Sequence, residues 1–215
     1  MKFSNDTINF LIDLRMNNNK PWFLDSKERF ETTLNEPMKE LALAVFDKLS
    51  ELYPDKKFSY RVSRIYKDAR SIPSNDYCRT NLWFFIEKSG ENFRTAPGFW
   101  FEIGIDKWSY GMGYYQAKPT AMAKFRARLD SNPEVFKKLI HEANDMFVVT
   151  GKKYIRKKDS PVGLEEWYNL KNFSIGYYSD KHSETFSDGL FDRLIKDFTG
   201  LMALYEYFDS LEIEA

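Results

Sequence analysis

Residues 99–114 read Phe-Trp-Phe-Glu-Ile-Gly-Ile-Asp-Lys-Trp-Ser-Tyr-Gly-Met-Gly-Tyr. Apolar side chains alternate on both sides of the pair Asp106-Lys107; they are Phe99, Phe101, Ile103 and Ile105 before it and Trp108, Tyr110, Met112 and Tyr114 after it. Alternation of aromatic and β-branched residues is typical of β-strands. Because the link between the two runs is short, the two strands should pair as antiparallel neighbours.

The rest of the chain surrounds this hairpin with two kinds of pattern. Period-two alternation recurs over residues 58–66 and 82–86, and residues 173–178 form a possible further strand. Helical spacing of apolar residues occupies 8–16, 21–34, 38–52, 122–129, 135–143 and 187–211. The order predicts a single α+β domain over residues 1–215, with a central antiparallel sheet of about four to five strands and helices from both the N- and C-terminal parts packed on it.

Composition restricts the class of protein. The 215 residues contain 32 basic and 32 acidic side chains. Nucleic acid is therefore an unlikely partner, because proteins that bind nucleic acids use an excess of positive charge to bind the phosphates. A single cysteine, Cys78, excludes an intrachain disulfide and indicates a reducing compartment. No secretion signal and no stretch of 18 or more apolar residues is present, so we predict a cytoplasmic protein without a membrane partner.

Basic residues concentrate between positions 61 and 79, and they carry the main functional hypothesis. On a strand, Arg64, Tyr66, Asp68 and Arg70 would share one face, with Arg61 and Arg79 nearby. Guanidinium groups held by a rigid strand suit bidentate binding of carboxylate or phosphate. The alternative is a structural network of Arg–Asp ion pairs at the end of a strand.

Gly111 and Gly113 occupy alternate positions of a strand and leave one face without side chains. A ligand or another backbone can approach closely there, or a large aromatic side chain from the facing layer can fill the space. The spacing is not a dinucleotide-binding fingerprint, because a third glycine and a following helix are absent.

No complete catalytic, cofactor or metal motif is present, so we assign no reaction and predict no cofactor. His141 and Asp145 lie four residues apart on a predicted helix, but nothing marks further ligands, and we predict no metal site. Arg79 adjoins Cys78 and should lower the pKa of its thiol. The basic run 152–158 is either a solvated, salt-bridged edge or a surface for an anionic polymer.

Three segments in register resemble a known family. They are Asn17-Asn18-Asn19-Lys20-Pro21-Trp22-Phe23, then Arg64-Ile65-Tyr66-Lys67-Asp68-Ala69-Arg70 with Arg79-Thr80, and then Gly111-Met112-Gly113-Tyr114-Tyr115 with Pro119. Together they are similar to the family of domain of unknown function 2461, and the resemblance covers nearly the whole chain. It implies a single α+β domain and brings no established activity.

The chain departs from the family pattern at residues 71–79, where relatives usually carry Phe-Ser-x-Asp-Lys-Thr-Pro-Tyr-Lys. Here the segment is Ser-Ile-Pro-Ser-Asn-Asp-Tyr-Cys-Arg. If this loop holds a ligand in relatives, the ligand or its affinity differs here. Two hypotheses follow: a domain that binds a small anionic ligand, or a non-catalytic structural or protein-interaction domain whose arginines pair internally.

Overall fold

The computed structural model describes residues 2–67, 76–143, 147–156 and 158–213. The chain packs as two compact units of interleaved segments. The first unit comprises Met1–Ile86, Trp100–Tyr110 and Tyr178–Ile195, and the second comprises Glu87–Phe99, Gly111–Tyr177 and Lys196–Ala215. The single-domain organisation stays a prediction.

The N-terminal part is helical because capping residues and prolines stand where helices begin. The elements are α1 (Asn5–Met16), α2 (Lys20–Asp25), α3 (Lys27–Phe30), a π-helical segment (Glu31–Asn35), α4 (Glu36–Leu52) and a 3₁₀ turn (Pro54–Lys56). Ser4 caps α1 by accepting a hydrogen bond from the Asp6 N–H at 3.1 Å. Pro37 lies in the first turn of α4, where its missing N–H is tolerated. The π-helical segment before this proline joins the two helical stretches predicted over 21–34 and 38–52.

Six described strands form one antiparallel sheet in the order β1-β2-β3-β4-β6-β5. They are β1 (Phe58–Val62), β2 (Asn81–Lys88), β3 (Pro97–Gly104), β4 (Trp108–Tyr114), β5 (Val148–Thr150) and β6 (Ser174–Ser179). The predicted α+β class, the antiparallel pairing and the β3–β4 hairpin are confirmed. The predicted number of strands, four to five, is too small because the three-residue β5 carries no alternating pattern.

The first strand is shorter than predicted. Strand β1 ends at Val62, and not at Tyr66. Just beyond the strand, the Ser63 N–H still donates to the Trp83 carbonyl at 2.8 Å, and the Ser63 hydroxyl oxygen accepts a hydrogen bond from the Trp83 N–H at 3.0 Å. Beyond this point Tyr66 forms an isolated antiparallel bridge with Cys78.

The C-terminal part contains α5 (Pro119–Ser131), α6 (Pro133–Glu142), α7 (Glu165–Tyr168), a 3₁₀ segment (His182–Phe186), α8 (Leu190–Gly200) and α9 (Met202–Ile213). The single helix predicted over 187–211 is wrong, because a turn at Leu201 separates α8 from α9. Gly200 precedes this turn, and glycine weakens a helix by about 1 kcal/mol relative to alanine. The helical spacing of apolar residues continues across this turn, so the sequence pattern does not predict the break between α8 and α9.

Aromatic side chains fill the core of each unit. In the first, Phe84 stacks on Phe101 with ring centroids 5.5 Å apart. In the second, Phe208 lies 4.2 Å from Phe173 and 5.0 Å from Phe125. Within the described ranges, no helix combines the length and the apolar character needed to cross a membrane.

Candidate anion-binding site

A cleft of about 320 Å³ lies in the first unit, where the segment leading into β2 meets the turn between β3 and β4. Most of its lining residues are charged or polar by type; the lining comprises Lys67, Arg79, Thr80, Asn81, Glu102, Gly104, Ile105, Asp106 and Lys107. The main-chain N–H of Gly104 donates to the Lys107 carbonyl at 3.0 Å and closes the turn. The turn thus places Asp106 and Lys107 beside the residues that precede β2.

Backbone hydrogen bonds fix the position of Arg79. Its N–H donates to the Ile65 carbonyl at 2.7 Å, next to the bridge between Tyr66 and Cys78. Asn18 holds the other side: its side-chain amide donates to the Cys78 carbonyl at 2.9 Å and accepts from the Cys78 N–H at 2.7 Å. The Asn-rich segment after α1 therefore meets the chain at Cys78, next to the Arg79-Thr80 element that lines the cleft. Both segments carry the family resemblance.

The charged side chains of the cleft differ in their partners. The Lys67 ammonium lies 2.5 Å from a carboxylate oxygen of Asp76, and Glu102 accepts from the Asn81 amide at 2.6 Å. The Lys107 ammonium lies over the Tyr178 ring, 5.2 Å from its centroid. Arg79 is half-buried, and its guanidinium makes no ion pair with any residue that the structure describes. Neither Arg79 nor Lys107 thus forms an ion pair with a carboxylate that the structure describes, and both bring positive charge to the cleft.

Asp106 also lines the cleft, and its carboxylate is shared with the N-terminal helix. An oxygen of Asp106 lies 3.4 Å from the guanidinium of Arg15 on α1. Both side chains are largely exposed, so this pair contributes at most about 1 kcal/mol to stability. The lining therefore combines cations with two carboxylates, those of Glu102 and Asp106.

The described residues that were predicted to share one strand face do not all lie on a strand. Arg61 lies on β1 and Arg64 lies just beyond its end, and both are exposed. Tyr66 is exposed and meets the rings of Phe23 and Tyr77 edge-on, each at a centroid distance of 5.4 Å.

Of the predicted cationic residues, the structure places Arg79 in the cleft. Asp68, Arg70 and most of the divergent loop, residues 71–75, lie outside the described residues. The shared face proposed for Arg64, Tyr66, Asp68 and Arg70 stays a prediction.

Gly111 and Gly113 face the backbone of the neighbouring strand. A Cβ atom at Gly111 would lie 2.6 Å from the Gly176 Cα and closer still to the Ile175 carbonyl oxygen. A Cβ at Gly113 would lie 2.7 Å from the Ser174 Cα. The structure therefore shows the close approach of another backbone that the sequence allows at these positions. A ligand-binding role for the two glycines stays a prediction.

The thiol of Cys78 is buried and unreactive. Cys78 is fully buried, and this burial raises the pKa of its thiol to about 12, although the Lys67 ammonium opposes the shift. The lowered pKa predicted from the adjacent Arg79 is therefore wrong, because loss of hydration outweighs nearby positive charge. Since the thiolate is the reactive form, Cys78 is not poised as a nucleophile in this fold.

Sequence reasoning missed Glu102 and Lys107 as members of the site. The short β3–β4 link that carries Lys107 was identifiable, but its proximity to Arg79 depends on the register between β2 and β3. Strand alternation would place Lys67 on the face opposite Arg64, but β1 ends before both residues, and Lys67 lines the cleft. In the part of the chain that the structure describes, no group of three or more His, Cys, Asp or Glu side chains could hold a metal ion.

Comparison with known proteins assigns the chain to a family. The model of the family described as "Conserved hypothetical protein (DUF2461)" matches residues 6–207. No curated protein matches the chain. Because the match spans almost all of the 215 residues, the chain belongs to the DUF2461 family.

Proposed function

We propose that this DUF2461 protein binds a small ligand with a carboxylate or phosphate group in the cleft lined by Arg79, Lys67 and Lys107. One observation carries the proposal: the half-buried Arg79 guanidinium lines the cleft and has no ion-pair partner within the described part of the chain. Partial burial makes an uncompensated charge costly, and an anionic ligand would remove that cost. Arginine also binds planar oxyanions through two parallel hydrogen bonds.

The size and the remaining lining residues limit the ligand class. A volume of about 320 Å³ lies at the lower end of ligand pockets, which start at roughly 300 Å³. Glu102 and Asp106 in the same lining disfavour a ligand of high negative charge. They suit a compact molecule with one anionic group and with hydroxyl or amine donors.

The alternative function is a structural or protein-interaction domain whose arginines serve only the fold. Several cations elsewhere in the first unit do pair internally, such as Arg29 with Asp13 at 2.7 Å and Arg193 with Glu184 at 3.5 Å. Arg79 has no such described pair, and this difference favours binding over a purely structural role.

A thermal-shift screen with phosphate, phosphorylated sugars and small carboxylates tests the proposal. A ligand at 100 times its Kd adds about 2.7 kcal/mol of stability, which raises the Tm of a chain this long by roughly 5–11 °C. We expect Arg79→Gln to abolish the shift. Arg64→Gln is the matched control, because Arg64 is exposed and does not line the cleft.

Two outcomes would overturn the proposal. The first is a wild-type protein whose Tm responds to none of these anions. The second is a shift that survives in Arg79→Gln as fully as in Arg64→Gln, because it would place the ligand elsewhere. The first outcome favours the structural alternative.

A further inference from the structure

A second cluster of positive charge surrounds one aromatic ring in the other unit. Three cations lie over the ring of Tyr154: the Arg126 guanidinium at 5.2 Å, the Lys158 ammonium at 5.1 Å and the Lys171 ammonium at 5.3 Å from its centroid. Since all three are measured to one point, no two of them are farther apart than about twice that distance. The Tyr154 ring attracts each cation, but the three like charges repel one another, and a bound anion would relieve this repulsion.

Main-chain pairing brings these residues together. Residues 152–154 run beside residues 169–171, with an isolated bridge between Lys153 and Leu170. The Tyr154 N–H donates to the Asn169 carbonyl at 2.9 Å, and the Lys158 N–H donates to the Asn169 side-chain oxygen at 2.8 Å. Asn169 is itself buried, and its two hydrogen bonds hold the backbone of Tyr154 and of Lys158 at fixed positions.

Arg126 distinguishes this cluster from an ordinary basic surface. Its side chain projects from α5, the residue is only 8% exposed, and its buried Nη1 atom has no hydrogen-bond partner among the residues that the structure describes. Burying a guanidinium nitrogen without an acceptor is costly, so an anion bound here would be stabilised. Across the described residues, neither Lys158 nor Lys171 forms an ion pair either.

The nearby carboxylates are engaged or solvated. Asp130, one turn along α5 from Arg126, accepts a hydrogen bond from the Tyr168 hydroxyl at 3.0 Å. Glu166 lies 3.1 Å from the ammonium of Lys153. Asp159 is exposed to solvent beside Lys158. Within the described ranges, no carboxylate therefore pairs with any of the three cations around Tyr154.

From this arrangement we infer that Arg126, Lys158 and Lys171 form a second anion site, which takes a phosphate group. A phosphate offers several acceptor oxygens and up to two negative charges, and so it can bind more than one of these three cationic donors at once. Because cations lie over the Tyr154 ring, the ring is not free to stack a nucleobase. A compact phosphate or phosphomonoester fits better than a single-stranded nucleic acid, which would need such a stacking surface.

The test uses full-length protein that carries Arg79→Gln, so that the cleft of the first unit does not contribute. Isothermal titration calorimetry with inorganic phosphate and with O-phosphoserine should show one site per chain. Binding of both probes identifies a phosphomonoester site, and binding of inorganic phosphate alone restricts the site to the free anion. Because this background lacks Arg79, the result is independent of the function proposed above.

Lysine variants locate the site without disturbing the core. Lys158→Gln and Lys171→Gln should each weaken binding by about tenfold or more, as expected for loss of a hydrogen bond from a charged donor. Arg156→Gln is the matched control, because Arg156 is exposed in the same basic run and does not lie over the Tyr154 ring. It should change the Kd by less than about twofold. Arg126→Met should abolish binding, with circular dichroism to confirm that the variant is folded.

Three results would overturn the inference. They are no binding at millimolar phosphate in the Arg79→Gln background, equal effects of Lys158→Gln and Arg156→Gln, or an oligonucleotide that binds far more tightly than either phosphate probe. The last result would assign the cluster to a nucleic-acid backbone.

Discussion

Replacing Gly111 by alanine should destabilise the protein strongly, because the new methyl group would meet main-chain atoms. The Cβ would lie 2.6 Å from the Gly176 Cα, whereas real Cβ contacts essentially never fall below 3.0 Å. Backbone of a paired strand cannot rotate away as a flexible side chain does, so β4 and β6 must separate locally. Overpacking costs about 1–3 kcal/mol, and each weakened ladder hydrogen bond adds roughly 0.5–1.5 kcal/mol.

A total near 3 kcal/mol corresponds to a fall in Tm of about 6–12 °C for a chain of this length. Thermal unfolding followed by far-ultraviolet circular dichroism measures it. Gly200→Ala is the matched control: no atom lies within 4 Å of the added Cβ, so stability should stay the same or rise by up to about 1 kcal/mol. If Gly111→Ala melts together with Gly200→Ala, the steric argument is refuted. A variant that keeps its Tm but loses ligand binding would instead support a ligand at this glycine.

Two further predictions concern buried ionisable groups. Because burial raises the pKa of Cys78 to about 12, the native protein should react with Ellman's reagent at pH 8 far more slowly than the urea-unfolded chain, and a native rate close to the unfolded rate would contradict this. Burial, together with the carboxylates of Asp209 and Glu87, raises the pKa of Tyr205, so its protonated form is favoured by folding. The resulting stabilisation is complete below about pH 10, where unfolded tyrosine titrates, and is lost at higher pH. Tyr205→Phe should therefore show a shallower alkaline loss of unfolding free energy in urea titrations, and an unchanged slope would exclude Tyr205 as the cause.

The strands that sequence predicts well are those whose side chains alternate between two environments. In β3, Phe99, Phe101 and Ile103 are fully buried, while Trp100 and Glu102 are only partly buried. The alternation of apolar residues in the sequence follows this alternation in burial. Strand β5 is invisible by the same criterion, since Val148 is exposed and the strand has only three residues. It exists because it pairs with β6, with Val149 opposite Ile175.

The candidate sites show the same limit. Arg79 stands out in the sequence because it lies in a region rich in arginine, but Glu102 and Lys107 join it only through the sheet. Around Tyr154, the run 152–158 is recognisable by charge, whereas Arg126 looks like one more polar residue of an amphipathic helix. Which cations share a space depends on tertiary packing, and local periodicity does not encode it.

The pairing of residues 148–154 with 169–176 also bears on how the protein behaves at high concentration. Strand β5 is the outermost strand beside β6 and offers only three residues for further main-chain pairing. Lys152 and Lys153, both exposed, follow it after Gly151. Short outer strands bordered by lysine are poor templates for strand addition by another copy. We therefore expect concentrated samples to resist fibril formation along this edge, which favours the calorimetric experiments described above.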